Sequence, residues 1–391
     1  MSTAANKLDV WIRGRFIELN SALEELYLEL EDPADIIGIG SDIKEVLRSE
    51  GEALIVPLVE EGNTERRFDS AYDVLGNVGL YMAALRRHEL MNPDRESQSP
   101  FEECSAVAMH IAASIGVAPR FATAHLATHN RAVNGRQKSF TSLPDEKLFN
   151  DLNLIGVLAY KRAGAALMRL SSIGVEASAA AFLLQDAKDA LEDVARSNKQ
   201  LYDQLDINKF FYHVRPYFKS YHVGGEVFRG ANAGDFAGIN QIDLLLGLCR
   251  GNDREYAQLL EEKILYMTPE DQRSLRDCLA LRPFVDEFVK GAKTAATTSW
   301  FKNNAALFLD VCTAHGRTAT QHHDMLVRRF IDNPSRAMNQ KHLKQVTASG
   351  PPLGELLTFL ENLRDRRTAA ERHDIPTAYA KISIIREALG R

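Results

Sequence analysis

Three short segments carry residue types that could do chemistry. The first is NKFFYHVRPYF, Asn208–Phe218, where Arg215 stands among Phe210, Phe211, Tyr212, Tyr217 and Phe218. A guanidinium fork pairs with a carboxylate through two parallel hydrogen bonds, and a flat ring packs well on aromatic faces. An arginine beside an aromatic wall is therefore a receptor for a carboxylate attached to an aromatic ring. An arginine that caps a helix or pairs with a neighbouring aspartate gives the same pattern. Pro216 disfavours helix in the residue before it, so a helical turn here should end near Arg215.

The second segment is AHGRTATQHHDMLVRRFI, with His315, His322 and His323. On α-helical geometry Leu309, Cys312, Gly316, Ala319, Thr320, Val327 and Phe330 share a side with His323. Gly316, Ala319 and Thr320 predict a groove that leaves room for a large flat ligand. A neutral imidazole facing such a groove suits an iron ligand, although a buried structural histidine fits the same position. Asp324 is adjacent in sequence and is expected to point elsewhere on the helix. The third segment runs from His125 to Glu146. If it is helical, His125 and His129 form an i, i+4 pair that could bind a metal or act as acid and base. A polar turn capped by Asn130 is the alternative.

The elements that must position these groups read as helices. Apolar residues recur at three- and four-residue steps in Leu19–Leu30, Ala71–His88 and Glu102–Ile115. Longer patterns cover Asp145–Leu170, with Ser142 as the expected N-cap, and Ala179–Leu205. Helices resume at Gln241, Asp253, Pro269 and Pro283, and a long one runs from Trp300 to Ile331. Leu353–Arg367 reads as the last core helix, after a stretch at Asn333–Pro352 that reads mainly as loop. The five glycines between Tyr221 and Gly238 imply turns and a short hairpin around HVGGEVFRG. The polar stretch NPDRESQSP, Asn92–Pro100, is the expected subdomain boundary or mobile loop.

Composition narrows the class. The chain has 391 residues, enough to bury a full core around an internal ligand. Its net charge of −6 weighs against nucleic acid as a partner. Four cysteines stand far apart and form no CxxC pair, which points to a reducing cytoplasm rather than a disulfide framework. No signal peptide and no membrane span are expected.

These segments resemble the tryptophan/indoleamine dioxygenase superfamily of heme proteins, in ordered blocks across residues 120–367. FFYHVRPYF at 210–218 is similar to the family's Phe-Phe…Arg element. FRGANAGDFAGINQIDLLLG at 228–247 is similar to its glycine-rich loop and following helix. HHDMLV at 322–327 resembles its proximal His-x-x-x-Val, and ASGPPLGELLTFL at 348–360 its closing loop and last helix. His125, Asn130 and Phe140–Glu146 resemble a specialised-metabolism branch. That branch includes the pyrrolnitrin-pathway tryptophan-rearranging enzyme and the heme-dependent tyrosine hydroxylases.

The resemblance implies an all-α fold, a helical-bundle heme domain at 121–391 with an N-terminal helical region at 1–120. It implies an enzyme, a heme-dependent oxidoreductase of the mono-oxygenase or peroxygenase type. His323 would ligate the iron of heme b. Val327 stands where some members carry a heme-linked cysteine, so the heme would be non-covalent. Phe210 and Phe211 would pack on the substrate ring, Arg215 would hold its carboxylate, and Ser349 and Gly350 would close over it. His125 or His129 would serve as the distal acid, base or hydrogen-bond donor. The partners implied are a free aromatic amino acid and O2 or H2O2, and a homodimer is compatible. Ser349-Gly350-Pro351-Pro352 replaces the Gly-Thr-Gly-Gly of the true dioxygenases, so hydroxylation or rearrangement is favoured over tryptophan 2,3-dioxygenation. A non-catalytic helical heme-binding or interaction protein is the remaining alternative.

Overall fold

The periodic apolar stretches become helices throughout. A computed structural model describes residues 2–62, 67–337 and 352–391. Its first helices are α1 (Thr3–Ile12), α2 (Arg15–Leu28), α3 (Ser41–Glu60), α4 (Phe68–Arg87) and α5 (Glu102–Ile115). Then come α6 (Pro144–Ile173), α7 (Ala180–Gln204), α8 (Ala237–Leu246), α9 (Arg254–Ile264), α10 (Pro269–Leu279), α11 (Phe284–Thr294) and α12 (Ser299–Thr320). The last are α13 (Asn333–Ala337), α14 (Leu353–Arg367) and α15 (Tyr379–Ala388). Among the described residues the only sheet is the expected hairpin, β1 (Tyr221–Val223) paired antiparallel with β2 (Glu226–Phe228). The fold is all-α, and no described helix is long and apolar enough to cross a membrane.

The chain divides into two compact units. The first comprises residues 1–151, 205–235 and 330–353, and the second 152–204, 236–329 and 354–391. In the first unit α4 is the central element. Its residues from Val74 to Arg87 are all buried, the pattern of a helix covered on every side. Gly76 and Gly79 let the chain at 121–125 lie directly on it. A Cβ at Gly79 would stand 2.3 Å from the backbone N of Phe121, and one at Gly76 would stand 2.4 Å from Cδ2 of His125. The Asn92–Pro100 stretch lies inside this unit, where the Ser99 N–H donates to the Gly224 carbonyl at 2.8 Å.

The second unit packs α7 along α12 around an apolar core that includes Leu184, Leu191, Phe308 and Val311. Phe288 of α11 stacks on Phe308 with centroids 4.6 Å apart. Deep in this core Asp243 of α8 is the hub of a polar network. It accepts from His315 Nε2 at 2.7 Å, from the Tyr256 hydroxyl at 2.8 Å, and from Arg367 through Nε at 2.9 Å and Nη2 at 2.8 Å. The network joins α8, α9, α12 and α14, and every formal charge in it has a partner, as burial requires.

Three expectations need correction. Leu353–Arg367 is a helix but not the last one, because α15 follows and buries Ile382 and Ile385. Ser142 does not cap α6. Instead Glu146 reaches back, accepting from the N–H groups of Phe140 at 2.7 Å and Thr141 at 2.6 Å, and Pro144 opens the helix. Asn333–Ala337 is helical rather than loop.

Candidate functional site

The aromatic segment folds into an uncommon shape. Lys209–Val214 is a π-helical turn, and Arg215–Phe218 continues it as a 3₁₀ turn. The π turn ends at Val214 with Arg215 as its C-cap, as the expected end near Arg215 requires, and the chain goes on as a 3₁₀ turn with Arg215 at φ −56° and ψ −35°. The proline sits in the first turn of the new segment, where its missing N–H is not needed. π turns are rare and concentrate at functional sites.

This shape places Arg215 in the interior, 6% exposed, with its guanidinium 5.5 Å from the Phe211 ring centroid. Among the described residues no hydrogen bond or ion pair engages this guanidinium. Its backbone N–H caps the π turn by donating to the Phe210 carbonyl, while its guanidinium pairs with no aspartate among the described residues. Burial pushes its pKa down to about 10, so it remains a cation at neutral pH. A buried charge without a partner costs several kcal/mol, and a carboxylate arriving as ligand would remove that cost. Phe210 packs beside it on Phe149 at 4.8 Å and Phe330 at 5.8 Å.

The N-terminal helices hold this turn. Glu24 of α2 takes two 2.8 Å hydrogen bonds from Arg87 of α4 and bonds Nδ1 of His213 at 2.9 Å. Arg87 also donates to the Tyr212 carbonyl at 3.0 Å. Beside them His88 bonds Tyr27 through Nδ1 at 3.0 Å and Asn20 through Nε2 at 2.8 Å. Burial, with the charges of Arg87 and Lys44, holds the pKa of His88 near 3, so it stays neutral.

His323 lies in a second π segment, Gln321–Asp332, which continues α12. It is buried, and its Nδ1 meets Oδ1 of Asp324 at 2.6 Å. The expectation that Asp324 points elsewhere is thus overturned. It rested on α-helical geometry, and this segment is not α-helical. A carboxylate at that distance requires the proton on Nδ1. Among the described residues Nε2 has no hydrogen-bond partner. An imidazole protonated at Nδ1, with a bare and unpartnered Nε2, fits a heme-iron ligand.

The groove expected along the preceding turns is filled at one end by the chain itself. A Cβ at Gly316 would stand 3.1 Å from Cα of Thr368, so this glycine admits the end of α14 rather than a ligand. His315 belongs to the Asp243 network, and His322 is exposed.

The third segment separates its two histidines. Nδ1 of His125 accepts from the Ala122 N–H at 2.9 Å, and its Nε2 bonds the Tyr72 carbonyl at 2.9 Å. Its ring stacks on Tyr72 at 3.9 Å, and burial pushes its pKa down to about 3. Both nitrogens are committed to backbone, which leaves none for proton transfer. His129 is half-buried, its Nδ1 3.0 Å from the Thr128 hydroxyl and its ring edge-on to Tyr72 at 5.0 Å. Asn130 folds the following loop, donating to the Lys138 carbonyl at 2.7 Å and accepting from the Lys138 N–H at 2.8 Å.

Phe210, Phe211, Arg215, His125 and His129 thus belong to the first unit, and His323 to the second. Ser349 and Gly350 lie outside the described residues. Sequence reasoning missed Glu24, Arg87 and Arg364, and turned Asp324 away from the histidine. The arginine pair at 86–87 ends a helix otherwise rich in apolar residues, and that was the available signal for Arg87.

A family model described as monodechloroaminopyrrolnitrin synthase PrnB matches residues 2–389. That family comprises heme-dependent oxidoreductases of the tryptophan/indoleamine dioxygenase superfamily that act in antibiotic biosynthesis. With nearly the whole sequence matched, from the α1 residues that precede the Glu24 anchor to the end of α15, this chain belongs to the monodechloroaminopyrrolnitrin synthase PrnB family.

Proposed function

We propose that this protein is a heme-dependent oxygenase of specialised metabolism that oxidises a free aromatic amino acid, by ring hydroxylation or by rearrangement of a tryptophan-type ring. The observation that carries the substrate class is Arg215, a buried guanidinium without an acidic partner among the described residues, set against Phe211. Its two-pronged geometry suits a carboxylate, and Phe210 and Phe211 supply apolar faces for a ring.

In this reading Nε2 of His323 holds heme b, without a covalent link through Val327. Bound heme supplies the redox chemistry that activates O2 or H2O2. The residues of the chain do the rest. Arg215 fixes the amino-acid end and the aromatic turn orients the ring. Of the two histidines expected on the distal side, His129 has the accessible ring suited to hold or move a proton. The four cysteines are free thiols, which suits a reducing cytoplasm.

The test is an absorption spectrum of heme-supplied protein, titrated with tyrosine and tryptophan and with their decarboxylated amines. The acids should shift the Soret band at concentrations where the amines do not. Equal response to acids and amines would remove Arg215 from substrate binding. Formation of N-formylkynurenine, read by its near-ultraviolet absorbance, would instead favour plain tryptophan 2,3-dioxygenation.

A further inference from the structure

The environment of His323 goes beyond ligation. Its Nδ1 meets Asp324 at 2.6 Å, and Asp324 in turn accepts from Nη1 of Arg364 at 3.1 Å. The same Nη1 lies 3.4 Å from Nδ1 of His323, too far to compete with the shorter contact. Arg364 is itself anchored by Asp365 at 2.8 Å and by Glu361 at 3.1 Å. Two residues further along α14, Arg366 pairs with Asp253 and Glu255. The next residue, Arg367, pairs with Asp243, which also holds His315. The guanidinium facing Asp324 therefore sits on a helix pinned to the histidine helix through a buried network.

A carboxylate behind an imidazole fixes its tautomer, raises its basicity and makes it a stronger electron donor to a metal. A cation on that carboxylate draws negative charge away from the imidazole and moderates the effect. We infer that Asp324 and Arg364 are opposed positioning residues for His323. Asp324 strengthens the donation of Nε2 to heme iron and Arg364 attenuates it, so that the pair sets the redox potential of the bound cofactor. This rests on the reading that His323 holds the heme.

The test measures the ferric/ferrous midpoint potential and the iron–histidine stretching frequency of the heme-loaded protein. Asp324→Asn keeps an acceptor but removes its charge. It should raise the potential and lower the stretching frequency. Arg364→Gln should do the reverse on both readouts, and Arg364→Lys, which keeps the charge, should stay near wild type. Opposite shifts distinguish tuning from damage, since a merely structural loss moves both variants the same way. Unchanged values in Asp324→Asn, or shifts of one sign in both variants, overturn the proposal. If Asp324→Asn takes up no heme, the Arg364→Gln and Arg364→Lys pair decides it alone. His323→Ala separates the two readings. If it retains the histidine signature, His323 is not the ligand. If it loses that signature while Asp324→Asn is silent, only the tuning role fails.

Discussion

Arg87 donates 2.8 Å hydrogen bonds to both oxygens of Glu24, and both side chains are buried. The third bond of Arg87, to the Tyr212 carbonyl, ties this pair to the π turn that carries Phe210 and Phe211. Removing one partner leaves the other charge buried and alone, which costs about 3–5 kcal/mol. Glu24→Gln and Arg87→Met should each lose stability on that scale in chemical denaturation. The double variant should lose less than the sum, because neither charge is then stranded.

The same pair predicts a pH dependence. Burial pushes the Glu24 carboxyl up, but the charge of Arg87 and the bond to His213 outweigh it and bring the pKa from 4.5 to about 2. A carboxylate with a depressed folded pKa stabilises fully above its unfolded value and stops doing so as pH falls through the folded one. The contribution of Glu24 should be intact above 4.5 and vanish toward 2. Comparing denaturation midpoints of wild type and Glu24→Gln across that range should show the difference between them shrink.

Arg215 should behave in the opposite sense. Its guanidinium has no acidic partner among the described residues, so Arg215→Met should hold or raise stability, by about 1 kcal/mol. The variant should lose roughly 1.5–3 kcal/mol of transition-state binding, the worth of hydrogen bonds to a charged group. That appears as a fall of roughly ten- to a hundred-fold in kcat/KM. A thermal melt and steady-state kinetics on one preparation read both. A variant that melts lower and turns over normally would mark Arg215 as structural.

The two histidines of the third segment should part ways. His125→Gln should lower stability, because the ring links the Ala122 N–H to the Tyr72 carbonyl, yet leave the shape of the pH–rate profile unchanged. His129→Ala should fold normally and alter that profile. A profile that changes in His125→Gln alone would return the acid–base role to His125.

Gly79→Ala should be more damaging than Gly76→Ala. The first places a methyl 2.3 Å from backbone nitrogen, the second 2.4 Å from a side-chain ring, which moves by giving up its bonds to Ala122 and Tyr72 rather than by displacing the chain. Overpacking costs about 1–3 kcal/mol where side chains can move, and Gly79→Ala should exceed that range. Melting temperatures of the two variants, measured side by side, check the order.

The helices were legible because apolar residues repeat at helical steps, and α5 was bounded to the residue. α1 and α3 were passed over. α1 is short, and the pattern of α3 is broken by Gly51 and by Pro57 within the helix. The aromatic segment and the histidine helix were legible by residue type. Their backbone was not, because a π turn has no sequence period of its own, and α-helical geometry therefore sent Asp324 to the wrong side. Glu24 and Arg87 were illegible for a different reason. They stand 63 residues apart, and only the tertiary fold brings a glutamate on one helix to an arginine on another.

The order in which the chain is made follows a different path from the order in which its units are completed. The first unit takes its pieces from residues 1–151, from 205–235 and from 330–353. A nascent chain that has emerged only as far as α6 already carries Glu24 and Arg87, but not yet His213 or the Tyr212 carbonyl. Domains usually fold in turn as they leave the ribosome. Here Phe121 and Phe140 stay without Tyr217 and Phe218, the later aromatic residues that pack on them, until that segment arrives. The soluble yield should therefore respond to slower translation and to added chaperone more than the measured stability suggests.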